Sequence, residues 1–480
     1  MGVLAFESFV YNDFGARMAM DDSFVVPGIE KWVDEVLLDG PGTQVCLRLP
    51  EVIDRAKLRR LVQERQIELA QSGLRAGGAA ALRLPPSLAF VTHLLAVWRS
   101  GGQAILLDHR LTDYEVRRAI ERLVPQVVVA PAGPVVAGLR TFVDVEASIA
   151  SYSGHPASTA HAVVQLSSGS TGPSKVIGRT AEDLVEEVKR YTQIDGVPVE
   201  NERLILLPSM VHVLGLVGGL LYGLHAGVEL VPPARLTGDA ILQAIAAEPT
   251  PATVLGVPFH IGLLASVQQS RSLPQFKRMT TGGELVPKAV SDAFEQKYGV
   301  PLGNMYGMTE VGVIGTDLYG QHRPAIRPAP GIEVRTVDGE LQIARKESPY
   351  LGLSDPARWS DGWLRTRDAG VVDPETGLVS IKGRLDSQVS VGGLKVDLTE
   401  VEYTLGTLRG VEAAVVVYDG SITAYLQLKE RRETVRLEAE LSQRLASYKR
   451  PRTLHVLDQL PRTTTGKLVR DLTVLRKAVS

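Results

Sequence analysis

Apolar positions along this chain alternate between two rhythms. Between positions 51 and 72, Leu58, Leu61, Val62, Ile67 and Leu69 return at helical spacing among charged residues, and Gly73 closes the run, so a helix is predicted there. Short, mostly apolar runs at 79–84, 104–107 and 126–130 have the length of buried strands. They are separated by helical patterns at 87–98 and 112–123. Segment 131–160 is weakly patterned and predicts a plain connection. A strand-like run at Val163 then leads into a loop, a helix over 181–191 and a strand over 203–207. Next come an apolar helix beginning near His212 and a second alternation: helix 239–247, strand 252–257, helix 259–267, strand 278–281. Strands alternating with helices of this length predict parallel α/β sheets.

After Gly331 the rhythm changes to short strands around Asp-Gly and Glu-Thr-Gly turns, at 337–343 and 370–381, which predicts an antiparallel portion. Beyond Arg384 a small α+β unit is predicted, with helix 399–405, strands 411–418 and 422–428, and helix 434–446. The expected fold is therefore α/β. A large N-terminal domain (1–385) combines parallel sheets with a small antiparallel portion, and a small mobile α+β domain (386–480) follows it. A chain of 480 residues exceeds what one core usually organises, in keeping with two domains.

Composition removes several function classes. The 52 basic and 54 acidic residues leave a formal charge of -2, and aromatics make up 5%, so neither nucleic acid nor an anionic membrane is an expected partner. The single cysteine, Cys46, excludes an internal disulfide framework and a cysteine metal cluster and fits a reducing cytoplasm. The opening MGVLAFESFVYNDFG has acidic residues where an export signal needs basic ones. The apolar stretch 211–231 has the length of a membrane span, but it contains His212, His225 and Glu229 and has no flanking basic cluster; a buried helix followed by a strand is expected.

The strongest chemical signal is VVQLSSGSTGPSKVIG, residues 163–178. A strand empties into Ser167, Ser168, Gly169, Ser170, Thr171 and Gly172, with Lys175 close behind. Hydroxyl donors, glycines that let backbone N–H groups turn around an anion, and a mobile cation together suit phosphate. The spacing is not the Walker type, because only two residues separate Gly172 from Lys175 and no Ser or Thr follows the lysine. Taken alone, the same composition also describes an ordinary surface loop.

Five further stretches accompany it: GGELVP from Gly282, NMYGMTEVG from Asn304, GWLRTRDAG from Gly362, KGRLDSQVSVGGLKVDLTEVE from Lys382, and PRTTTGK from Pro461. In this order and at these separations the chain resembles the adenylate-forming superfamily, which includes acyl- and aryl-CoA synthetases and the adenylation domains of peptide synthetases. The resemblance implies an enzyme that joins a carboxylic acid to AMP from ATP, releases pyrophosphate, and passes the acyl group to a thiol. That thiol would belong to coenzyme A or to the phosphopantetheine of a carrier protein.

The resemblance also implies roles. The Ser/Thr/Gly loop with Lys175 would hold the ATP phosphates. Thr309 would meet the α-phosphate, and Glu310 would hold magnesium. Asn304, Tyr306, Gly307, Gly283 and Glu284 would border the nucleotide, with Tyr306 against adenine. Asp368 would accept the ribose hydroxyls, with Arg384 nearby. Lys467 would be the catalytic lysine of adenylation, and Asp386 the hinge about which the C-terminal domain turns, withdrawing Lys467 and bringing up Gly392, Gly393 and Lys395. His212 stands where acid ligases keep a histidine beside the substrate carboxylate, and no acidic residue marks an amino-acid pocket. The implied pocket walls are Val257, Gly282, Gly283, Gly307, Met308 and Ile314, suited to an aryl or a short to medium acyl group. An amino-acid adenylating or amide-forming enzyme, and a catalytically silent nucleotide binder, are the alternatives. Four positions depart from the family pattern: Ser174 and Val176 flank the loop lysine, Arg367 replaces a usual glycine before Asp368, and Ser390 replaces a common basic residue.

Overall fold

The computed structural model describes residues 29–135, 142–167, 175–268, 272–283, 286, 288–385, 387–428, 434–461 and 468–479. Two twisted sheets form the larger part. The first has six strands in the order Ala147–Ser151, Val127–Pro131, Ala79–Leu82, Gln103–Leu106, His161–Ser167, Lys175–Thr180. Its four inner strands run parallel, in keeping with their largely apolar sequences, and its two outer strands run antiparallel to their neighbours.

The second sheet has fourteen strands. Its parallel half runs from Val45–Arg48 through Glu229–Val231, Arg203–Leu206, Ala252–Gly256 and Phe276–Gly282 to Leu302–Met308. There the direction reverses, and Gly312–Asp317, Ala325–Pro328, Val379–Arg384, Trp363–Val372, Glu340–Ala344 and Val334–Val337 continue it antiparallel. The expected Asp-Gly hairpin is present. Asp338 (φ 51°) and Gly339 (φ 78°) both adopt positive φ, which matches the twist of the flanking strands.

The two sheets share one core. Helices Leu88–Arg99, Ala181–Tyr191 and Tyr222–Ala226 bury apolar side chains in a cluster that takes residues from both sheets. Helix Leu88–Arg99 is buried along most of its length, and Trp98 at its end donates its indole N–H to the Ala162 carbonyl at 2.7 Å. Among the described residues no helix is long and apolar enough to cross a membrane. The stretch 211–231 instead forms the wide-turned helix Leu214–Leu221, which continues as Tyr222–Ala226 and is followed by strand Glu229–Val231.

The C-terminal part is the expected α+β unit. Hairpin Gln388–Val391 and Leu394–Asp397 leads to helix Leu398–Gly406. The strands Val411–Tyr418, Ile422–Leu428 and Thr453–Leu457 form a sheet packed by helix Thr434–Arg444.

Several local expectations need correction. The helix predicted over 51–72 starts at Arg55, because Val52–Asp54 is a short edge strand and Asp54 caps the helix by accepting the Lys57 N–H. The connection 131–160 contains strand Ala147–Ser151. The helix Ala181–Tyr191 is as expected, but strand Lys175–Thr180 stands between it and the Ser/Gly-rich loop, and Val176 is buried there opposite Leu166. A small side chain is thus unnecessary after Lys175, which accounts for Val176.

Candidate active site

A cavity of about 1410 Å³ opens where the parallel strands end and the C-terminal unit closes over them. Strand Leu302–Met308 brings Asn304, Tyr306, Gly307 and Met308 to its wall, and the turn into Gly312–Asp317 adds Thr309 and Glu310. Gly282 and Gly283 end the neighbouring strand, and Val257 precedes helix Pro258–Ala265. His212, Lys175, Asp368 and Arg384 also line it. Ile314 does not: it is fully buried behind the wall with Ile177, Ile343 and Leu364, since alternation along its strand turns it away from the cavity. Ser167 ends the strand before the phosphate loop, but Ser168, Gly169, Ser170, Thr171, Gly172, Glu284, Asp386 and Lys467 lie outside the described residues, as does the side chain of Ser167.

At one end of the cavity, Asp368 accepts the Tyr306 hydroxyl at 2.6 Å and an Arg384 N–H at 3.1 Å. Pairing of strands Trp363–Val372 and Val379–Arg384 sets Asp368 directly opposite Arg384. Burial pushes the Asp368 carboxyl up from its ordinary range, against the pull of Arg384 and the Tyr306 hydroxyl. The residue before it, Arg367, has φ +61°, the left-handed conformation that a glycine adopts freely. Its backbone N–H reaches Glu340 at 3.0 Å and its guanidinium the Ala357 carbonyl at 2.7 Å, contacts that offset the strain.

A second cluster surrounds Tyr350. Glu310 accepts the Tyr350 hydroxyl at 3.0 Å, and the Lys175 ammonium lies 5.9 Å from the centre of the Tyr350 ring. Tyr350 is placed by backbone hydrogen bonds: Gly178 donates to the Pro349 carbonyl and Leu351 to the Val176 carbonyl, both at 2.9 Å. Nothing local in the sequence marks Tyr350, because its partner is 40 residues away. Among the described residues no group of three or more His, Cys, Asp or Glu could hold a metal ion.

His212 forms the third cluster. Its Nε2 lies 3.4 Å from Asp108 Oδ2, an ion-pair distance that lacks a hydrogen bond's alignment. Burial would raise the Asp108 carboxyl, but His212 and Arg110 hold it well below the usual range. Arg110 reaches both of its oxygens, at 2.8 and 2.5 Å. Gln165 ties the His212 turn to the strand before the phosphate loop by donating to the Val211 carbonyl at 2.5 Å. Asp108 was findable in principle, as an acid immediately after an apolar strand at its functional end. His260 supports the opposite wall. Its Nδ1 accepts the Val257 N–H at 3.0 Å, and burial lowers its pKa to about 4, so the ring is neutral at pH 7.

From the C-terminal unit, Lys395 donates to the Gly283 carbonyl at 2.5 Å, and Gly393 (φ +83°) sits so close to Val257 that a β-carbon there would lie 2.8 Å from it. The stretch Gly392, Gly393, Lys395 thus lines the cavity against Val257 and Gly283, together with other residues of this unit such as Tyr448 and Arg452.

Residues 68–349 match the family described as AMP-binding enzyme, and residues 400–467 match the AMP-binding enzyme C-terminal domain. The chain is 29% identical over 350 residues to a benzoate–CoA ligase of Thauera aromatica, covering 65% of each protein. It is 24% identical to a 2-succinylbenzoate–CoA ligase of Enterococcus faecalis, covering 78% of this chain and 84% of the relative. A solved o-succinylbenzoate CoA synthetase from Bacillus subtilis superposes with TM-score 0.77 at 22% identity, covering 91% of this chain and 96% of that one, a likeness of fold.

Proposed function

The chain belongs to the AMP-binding enzyme family, and on that premise we propose that it activates an aryl or short to medium acyl carboxylic acid with ATP and transfers the acyl group to a thiol. The observation that carries the reading is the convergence on one cavity of the Asp368–Tyr306–Arg384 group, the Glu310–Tyr350–Lys175 group and the His212–Asp108 pair. A buried carboxylate with two acceptor oxygens suits the two hydroxyls of a ribose. The Lys175 ammonium and the Thr309 and Tyr350 hydroxyls, which also line the cavity, suit phosphates.

In the first step a carboxylate oxygen attacks the α-phosphorus, the α–β anhydride bond breaks, and pyrophosphate leaves with the bonding pair. Thr309 and Lys175 stabilise charge on the phosphates, and His212, backed by buried Asp108, orients the acid. Lys467 neutralises charge between the carboxylate and the α-phosphate. In the second step a thiolate attacks the acyl carbon and AMP departs. A magnesium ion would be held by Glu310, which accepts from the Tyr350 that faces Lys175, and by phosphate oxygens; with no group of three or more His, Cys, Asp or Glu among the described residues, the site fits a metal that takes most of its ligands from outside the protein. Bound there, it would neutralise phosphate charge.

The cavity continues outward between helix Asp113–Leu123 and the C-terminal unit, past Arg118, Tyr448 and Arg452, a course that suits the long arm of phosphopantetheine. Both coenzyme A and a carrier protein present that arm. We place the domain boundary and hinge at Asp386, between the Arg384 and Gly392–Lys395 contacts.

ATP–pyrophosphate exchange over a panel of aryl, fatty and amino acids, with mass spectrometry of products formed with coenzyme A, tests this reading. Aryl or acyl acids should support exchange and yield thioesters; exchange with amino acids alone would overturn the assignment of His212. Lys467→Ala should lower exchange by about 100-fold or more while ATP binding persists, the scale of removing one preorganised charge. Exchange unchanged in that variant would remove Lys467 from the mechanism.

A further inference from the structure

The outer wall of the cavity is a contact between the two parts of the chain, and its centre is a buried ammonium. Lys449 is 7% exposed; its Nζ donates to Glu115 Oε1 at 2.9 Å and to Glu400 Oε1 at 3.0 Å. Burial alone would lower its pKa, but Glu400 and Glu115 push it up, so it stays charged. Glu400 belongs to the same C-terminal unit as Lys449, whereas Glu115 stands in the first turn of helix Asp113–Leu123 on the opposite side. Its second oxygen also crosses the interface, accepting the Ala446 N–H at 3.0 Å. Beside it the Arg110 guanidinium lies over the Tyr448 ring, 5.4 Å from its centre.

We propose that the Glu115–Lys449 pair is a releasable latch that holds the C-terminal unit with Gly392, Gly393 and Lys395 at the cavity, and that Glu115 is a positioning residue for thiol transfer. This rests on the two-step reading above. The arrangement of partners carries it. Breaking a buried ion pair is expensive when it leaves one charge alone. Here neither is left alone: Glu115 keeps the Thr112 N–H at 2.9 Å and the Thr112 hydroxyl at 3.0 Å, while Lys449 keeps Glu400. Arg110 likewise keeps Asp108 when it leaves Tyr448. Each of the three charged groups in this cluster, Glu115, Lys449 and Arg110, has a second partner on its own side, so the cluster can open without stranding a charge. A pair serving stability alone needs no such reserve.

The obvious risk is that altering Glu115 unravels its helix. Glu115→Gln avoids it, because glutamine also serves as the third residue of a capping box. Amide hydrogen exchange of the full chain reads the latch without any substrate. In Glu115→Gln, amides of 445–450 should exchange about fivefold faster or more, while those of 116–123 stay as in the wild type, the pattern of a local rather than global opening. Unchanged exchange at 445–450 would overturn the proposal.

The half-reactions then separate positioning from folding. With benzoate as the probe acid, ATP–pyrophosphate exchange should stay within about twofold of wild type, while transfer from benzoyl adenylate to coenzyme A falls about tenfold, as expected when a gating closure is weakened. An equal fall in both half-reactions would make the pair merely structural. If the wild type supported exchange with no acid in the panel, the two-step reading would fail, and amide exchange would still decide whether the latch exists.

Discussion

Asp368 shows at the scale of one residue how the site and the fold make opposite demands. Its carboxyl pKa is raised by burial despite Arg384 and Tyr306, so ionised Asp368 is less comfortable folded than unfolded. The sign follows: between the unfolded and folded pKa values the folded state binds more protons, and stability falls as pH rises through that window. Asp368→Asn removes the charge and keeps an acceptor for Tyr306. It should therefore leave stability at pH 7 unchanged or raised by about 1 kcal/mol, while kcat/KM for ATP falls about 100-fold, the scale of a charged hydrogen-bonding partner lost at a ribose. A thermal melt paired with initial rates at varied ATP checks both. Unaltered kcat/KM for ATP would exclude Asp368 from the nucleotide site. Arg367 beside it was conspicuous in the sequence as a departure, and its positive φ gives the departure a physical meaning: the backbone requires a glycine-like conformation whichever residue is present.

At the scale of elements, the helix from Leu214 works as a support for the His212 turn. A β-carbon on Gly215 would lie 2.4 Å from the Ser209 carbonyl oxygen and 2.8 Å from that of Pro208, both backbone atoms of the turn. Gly215→Ala should therefore push turn and helix apart, cost about 1–3 kcal/mol as overpacking does, and raise KM for the acid while leaving KM for ATP unchanged. Urea unfolding and kinetics in each substrate test this, and equal changes in both KM values would argue against a local effect on His212. Such elements were legible where burial is one-sided or complete. Strands Val411–Tyr418 and Ile422–Leu428 are rich in apolar residues over their whole length, and the helix Ala181–Tyr191 has a clear apolar face. The strand that carries Asn304, Tyr306 and Gly307 shows no such pattern, because glycines and polar residues occupy cavity-facing positions and its partners supply the pairing. Function thus obscures the very element that carries it. Tyr350 was hidden for a related reason: it acquires its role from Glu310, a partner distant in sequence.

The whole molecule carries two further histidines whose cost is spread over the fold. His93, on the buried helix Leu88–Arg99, and His260, behind Val257, both have pKa values lowered to about 4 by burial. Each ring accepts a proton far more readily when the chain is unfolded, where the ordinary value applies. A base with a depressed folded pKa contributes stability that is complete above about pH 6.5 and is lost as pH falls toward 4. Between pH 7 and pH 5 each histidine should cost about 2 kcal/mol, from the proton-linkage relation with those two pKa values. Together they give about 4 kcal/mol, a large share of the stability of an ordinary domain. Both belong to the larger part of the chain, so that part should become the weaker one in acid while the C-terminal unit changes less. Urea unfolding at pH 7 and pH 5, followed by near-ultraviolet signals of Trp98 and its neighbours, measures the loss, and His93→Gln should remove about half of its pH dependence. A curve that is flat between these pH values would mean that the buried rings find water or a partner on protonation. In that case the core around Trp98 and the wall of the cavity are less rigid than their packing implies.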